Sequence, residues 1–170
     1  MIDTIYLALA ARLKDRLDPK TVDLWNTQPA NTQIAAVHLP AIFIDFDRIE
    51  WKDNQSGLQE GRAEIRIWVV QNTLAESRYG GHSTDRAMKP LQYLTQVHTA
   101  LQGFSGDGFG SLTRVATAVD HDHDHLLVHS HTYITQITDT SALDAGYIDQ
   151  PVDFQVTGEI DGLPPLFDGQ

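Results

Sequence analysis

The sequence predicts an α+β fold in which an antiparallel sheet of about four strands carries two helices on one face, with an extended C-terminal arm beyond it. Three observations predict it. Two stretches repeat apolar residues every three and four positions, the stripe of an amphipathic helix. Four others alternate apolar and polar residues, or run in β-branched ones, over strand length. Their order is helix, two strands, helix, two strands, and the packing of layers then sets both helices on one side of an antiparallel sheet.

The opening segment MIDTIYLALAARLKDRLD spaces Ile5, Tyr6, Leu9, Leu13 and Leu17 as one stripe, predicting a helix over 3–17, with Asp3 suited to cap it and Asp18-Pro19 to stop it. Residues 18–40 mix Pro29, Pro40 and polar residues with Val22, Leu24 and Trp25 and read as a loop holding a short turn or strand. In AIFIDFDRIEW, Ile42, Ile44 and Phe46 face one way while Phe43, Asp45 and Asp47 face the other. After the polar turn DNQSGLQEG, the run RAEIRIWVVQN sets Ile65, Ile67 and Val69 against Glu64, Arg66 and Trp68, so the two runs pair as antiparallel strands.

A loop with Arg78, Gly80, Gly81 and His82 leads to the second stripe, Met88, Leu91, Leu94, Val97, His98 and Leu101, which predicts a helix over 85–102 with Pro90 in its first turn and Gly103 at its end. The glycine-rich FSGDGFGS reads as a flexible turn. LTRVATAV and LLVHSHTYITQIT then read as a hairpin around the tip DHDHDH. One domain over 1–139 is therefore expected, followed over 140–170 by an acidic arm with Pro and Gly, scattered Val152, Phe154, Val156, Ile160 and Phe167, and a short strand near 152–158.

Length and composition agree with one globular domain: 170 residues, 41% hydrophobic and 21% charged. With 0 cysteines, disulfides, thiolate metal sites and cysteine nucleophiles are excluded together. No stretch is apolar enough to span a membrane, and the N-terminus lacks signal-peptide order, so a soluble, unexported chain is expected. Charge is uneven: residues 1–114 hold 13 acidic and 12 basic side chains, while 115–170 hold ten acidic and none basic, giving −1 and −10 of the total −11. A one-signed block of this kind repels phosphates, which disfavours nucleic-acid binding.

The tip DHDHDH invites a metal site, since His121, His123 and His125 share a face when extended, with His129 and His131 on the return strand. Three known patterns fail there. An EF-hand starting at Asp120 would have His125 where glycine is needed and His131 where glutamate is needed. The His-x-His-x-Asp-His run of metallo-β-lactamase-like hydrolases finds Asp124-His125 one residue early, and a cupin finds no glutamate between Glu76 and Glu159. The bland reading is a solvated hairpin tip whose charges discourage edge pairing, and no cofactor is expected beyond an adventitious divalent ion.

The remaining motifs are weak. The loop Gly106–Ser111 follows a helix and lacks the lysine of a phosphate-binding loop. No Gly-x-Ser-x-Gly elbow exists, Asp45 and Asp47 read as solvent-facing or subunit-facing rather than an acid/base pair, and His98 on an apolar stripe reads as packed. No catalytic residue is assigned. Trp51 and Trp68 fall on strand faces otherwise carrying charges, and the arm brings Phe154 and Phe167. Either the second helix and the arm cover them within one chain, or they are interface anchors together with Arg78 and Tyr79.

The helix MIDTIYLALAARL, the strand AIFIDF after Pro40, the strand AEIRIWVV, the helix LQYLTQVHTAL and the closing strand pair together resemble the tail terminator, or tail completion, proteins of tailed bacteriophages, lambda-like or Mu-like. The resemblance covers about 1–138 and is architectural, so no catalytic residue carries over. It implies a non-enzymatic subunit, made in the host bacterial cytoplasm and built into the virion tail. Such a subunit forms a homo-oligomeric ring, a hexamer, on the tail tube protein, ends polymerisation and docks to the head connector. DNA would pass through such a ring without specific binding, and Asp120, Asp122 and Asp124 are candidates for an acidic lumen. The alternatives are a head-tail connector or neck protein, and a metal-binding protein or enzyme built on His121, His123, His125, His129 and His131.

Overall fold

The structure, a computed structural model, describes residues 1–26, 38–54, 57–72, 84–123 and 126–144, the side chains of Arg86, Ala87 and Asp144 excepted. Along the chain run α1 (Ile2–Leu17), β1 (Thr21–Leu24), β2 (Ala41–Asp53), β3 (Gln59–Asn72), α2 (Thr84–Leu101), β4 (Thr113–Asp120), β5 (Leu126–Asp139) and the single turn α3 (Ser141–Asp144). The strands form one sheet in the order β1-β2-β3-β5-β4.

The sheet has five strands and is mixed, where about four antiparallel ones were expected. Pairs β2–β3, β3–β5 and β4–β5 are antiparallel, but β1 runs parallel to β2 with Thr21 beside Ala41 and Leu24 beside Ile44. Four residues are too few to show a period in sequence. Flanking backbone bonds hold the strand instead: Lys20 N–H donates to Pro40 O at 3.0 Å and Trp25 N–H to Ile44 O at 2.9 Å. α3 also puts a helical turn where the extended arm was expected to begin; the rest of that arm lies outside the described residues.

α1 buries Ile5, Leu9 and Leu13, which a four-residue spacing stacks along one side. It ends where Asp18 adopts φ 47 and Pro19 follows, so the expected stop holds. Asp3 lies inside the first turn, where its charge favours the helix dipole, and Met1 occupies the cap. α2 begins at Thr84, which puts Pro90 in the second turn rather than the first. The Pro90 carbonyl accepts a bond from Gln71 Nε2 at 3.3 Å.

Both helices lie on the same face of the sheet. Leu94, Val97 and Leu101 of α2 join Ile5, Leu9 and Leu13 of α1 over Ile42, Ile44, Ile65, Ile67, Tyr133 and Ile137 in one core. The helices touch through Arg12, whose Nε–H donates to Ala100 O at 3.0 Å and whose guanidinium lies 5.0 Å from the Phe104 ring centroid.

Two local features differ from the sequence reading. The β2–β3 register shifts between Phe46 and Arg48, leaving Asp47 as an extra residue. Beyond this bulge the alternation reverses, so Trp51 pairs with Gly61 and shares the core face instead of the charged one. Its ring lies over Gly61, where an added Cβ would sit 2.8 Å from Trp51 Cε3. The glycine-rich segment after α2, read as a flexible turn, is pinned to β5: Gly110 N–H donates to Gln136 O at 2.7 Å and Thr138 N–H to Gly108 O at 3.1 Å. It takes over the flank of β5 past Ile134, where β4 pairing starts.

Candidate interaction surfaces on the sheet

The face of the sheet away from α1 and α2 carries a second, smaller cluster of Ala41, Phe43, Val70 and Val128, with Trp25, Trp68, Leu39 and Leu126 packed on it. Trp25 follows β1 directly and stacks on Trp68, with centroids 4.3 Å apart and planes at 11°. It also meets Phe43 edge-on at 5.9 Å. Trp68 thus stands on the face expected, yet its cover is Trp25, not α2. Sequence reading missed Trp25 because it stands in a polar, proline-bearing stretch.

Charged groups surround this aromatic pair. The Arg66 guanidinium lies 5.5 Å from the Trp68 ring centroid and is ion-paired with Asp47, the bulge residue. Asp45 stands opposite Arg66 in the ladder. Burial pushes its carboxyl up, Asp47 adds to that, and the Trp68 indole and Arg66 hold it back. Beside these, an open trough of about 640 Å³ runs over Ser130 and Thr132 between Arg66 and Trp68 on one side and Ala116 and Ala118 on the other. Its floor is small and hydroxylated, and Glu64, Asp120, His121 and Asp122 also line it.

β4 closes one side of the sheet, and its residues 115–119 are all exposed. Val115 is 52% and Val119 46% exposed. At the β4–β5 tip, Asp120 Oδ1 accepts the Asp122 N–H at 3.0 Å while Oδ2 lies 3.3 Å from His123 Nε2. Asp120 therefore organises the turn, and Asp122 and His121 are exposed on it.

The histidines divide between two places. His131 is buried beneath α2, with Nε2–H donating to the Leu94 carbonyl at 3.2 Å and Nδ1 accepting from the Thr117 hydroxyl at 2.9 Å. His129 lies on the same face, two residues before it, and His98 of α2 rests 6.4 Å from the Tyr133 ring. Burial lowers the pKa of all three. Both ring nitrogens of His131 are engaged in hydrogen bonds within the fold. Among the described residues no three His, Asp or Glu side chains converge as a metal set. Asp124, His125, Arg78, Tyr79, Phe154 and Phe167 lie outside the described residues.

No protein-family model matches the chain, and no curated protein does. Among solved structures, a chain of the virion of a native gene transfer agent particle is similar at 12% identity and a TM-score of 0.44, covering 80% of this chain and 91% of that one. So slight a likeness carries no argument about what the chain does. No described helix is long and apolar enough to cross a membrane.

Proposed function

We infer that the chain is a structural, non-catalytic assembly subunit of a phage-like particle, and in the finer reading a tail terminator: a ring, six subunits round, that caps the tail tube and docks to the head connector. The observation that carries this is the sheet face opposite α1 and α2. It presents an aromatic stack, Trp25 on Trp68, flanked by Arg66, Asp45 and Asp47, beside an open trough that runs over Ser130 and Thr132. Aromatic and arginine side chains are the residues that anchor subunit contacts. The acidic tip with Asp120 and Asp122 supports a surface past which DNA slides without sticking.

Mass measurement by light scattering after size exclusion, over a range of concentration and with and without Mg²⁺, followed by negative-stain imaging, tests the reading. Six-membered rings with a central hole support it. A strict monomer that retains near-stoichiometric metal overturns it in favour of a metalloprotein.

A further inference from the structure

The two edges of the sheet are built differently. On β1, a strand of only four residues, the Asp23 carboxylate accepts the Leu24 N–H at 2.8 Å, so the strand's own side chain occupies part of its backbone. Short strands and edge carboxylates are how sheets avoid unwanted pairing. β4 is twice as long and carries no charge over Val115, Ala116, Thr117, Ala118 and Val119, three of them β-branched and all five exposed. Among the described residues β5 is its one strand partner.

We propose that the outer edge of β4, unpaired among the described residues, pairs with β4 of a second copy, antiparallel, about a two-fold axis through Thr117. The register follows from geometry. Antiparallel edge pairing keeps the faces of both sheets aligned, and directly opposed residues then share a face, so under two-fold symmetry one residue must oppose itself. With Thr117 on the axis, Val115 meets Val119 of the other copy twice over and Ala116 meets Ala118. The two exposed valines cover each other, and such cross-strand apolar pairs are what stabilise a sheet. Moving the axis to Ala118 would set Ala116 against Asp120 and leave the valines unpaired with each other.

The result joins two sheets into one, with both helical layers on the same side and the Ser130–Thr132 troughs on the other. The register shift between Arg114 and Ala116 bends the strand at Val115, which keeps the new ladder short. A short ladder makes a concentration-dependent dimer, not a permanent one. The pairing stands on β4 alone and is independent of the ring reading.

The experiment uses the full chain. Light scattering after size exclusion should show monomer passing to dimer as concentration rises. Val119→Lys, at an exposed position, should stay monomeric with an unchanged far-ultraviolet circular dichroism spectrum. Because the chain has 0 cysteines, Thr117→Cys should form a covalent dimer under mild oxidation, seen on a non-reducing gel, and Val119→Cys should form several-fold less. Monomer at every concentration, a dimer unmoved by Val119→Lys, or equal cross-linking at both positions would overturn the pairing. A dimer cross-linked at Thr117→Cys with no ring at any concentration upholds the pairing and sinks the ring. Rings without that cross-link do the reverse.

Discussion

The Nδ1 of His131 lies 2.9 Å from the Thr117 hydroxyl, and through this contact a buried imidazole ties β5 to β4 while its other nitrogen holds the Leu94 carbonyl of α2. A carbonyl only accepts, so Nε2 carries a proton, and in the neutral ring Nδ1 accepts from the Thr117 hydroxyl. Burial holds the pKa of His131 below its ordinary value, against a smaller opposing pull from the Leu94 carbonyl, and the positive charges of Arg114, His98 and His129 depress it further. His98 and His129 are lowered in the same sense, by burial first.

These shifts fix the direction of a pH dependence. In the unfolded chain these three histidines take protons near pH 6.5, as ordinary imidazoles do, and in the folded chain only at lower pH. The unfolded state therefore binds more protons below about pH 6.5, and stability is full above that value and falls as pH drops through it. Asp45, whose pKa is raised by burial, works in the opposite sense in the more acidic range. The urea midpoint should decline from about pH 7.5 to about pH 5.5; a flat midpoint would mean that these rings are solvated.

Leu9 is 0% exposed at the centre of the α1 stripe, and Leu7 on the opposite side is 63% exposed. Leu9→Ala should lower the unfolding free energy by roughly 2–5 kcal/mol. Leu7→Ala should change it by less than about 0.5 kcal/mol. Equal effects would refute the way α1 is docked.

Gly61→Ala would place a Cβ 2.8 Å from Trp51 Cε3 and 3.0 Å from Ile137 Cγ1. The substitution should destabilise by about 1–3 kcal/mol, as overpacking does. Part of that loss should vanish in a Trp51→Ala background, because one of the two clashes is then gone. Strict additivity in the double-mutant cycle would show that Trp51 does not lie over Gly61.

The Tyr133 hydroxyl is buried without a hydrogen-bond partner among the described residues, and burial pushes its pKa upward. Tyr133→Phe keeps the ring and removes the unsatisfied group, so the variant should be more stable by about 1 kcal/mol. A loss of stability in thermal denaturation would mean that the hydroxyl has a partner in solution.

Both long helices, the four long strands and the shared helical face were legible because each rests on a local period: Ile5, Leu9 and Leu13 stack by fours, and Ile65, Ile67 and Val69 alternate by twos. What escaped the sequence rests on contacts distant along the chain. β1 exists because β2 pairs with it, not because TVDL has a strong preference of its own. Trp51 was set on the wrong face because one extra residue at Asp47 inverts every later position in the strand, and nothing in DFDRIEW marks the bulge. In the alternative metal reading His129 and His131 join His121, His123 and His125, because spacing along a strand cannot tell which face a helix will cover. The exposed β4 edge was present in the letters VATAV, but its openness depends on the order of strands in the sheet.

The central ladder of the sheet joins β3 to β5 from Gln59 with Asp139 to Asn72 with Leu126, across a stretch that includes all of α2 and β4. Closing so long a loop before its contacts reward it makes for slow folding. A chain emerging from the ribosome can zip β2 onto β3 at once, but the other side of β3 stays open until β5, which begins at Leu126, has been made. During that interval β3, with Ile65, Ile67, Val69 and Val70, is a hydrophobic strand awaiting a partner. Translation that pauses or stops between β3 and β5 therefore yields the species most prone to aggregate.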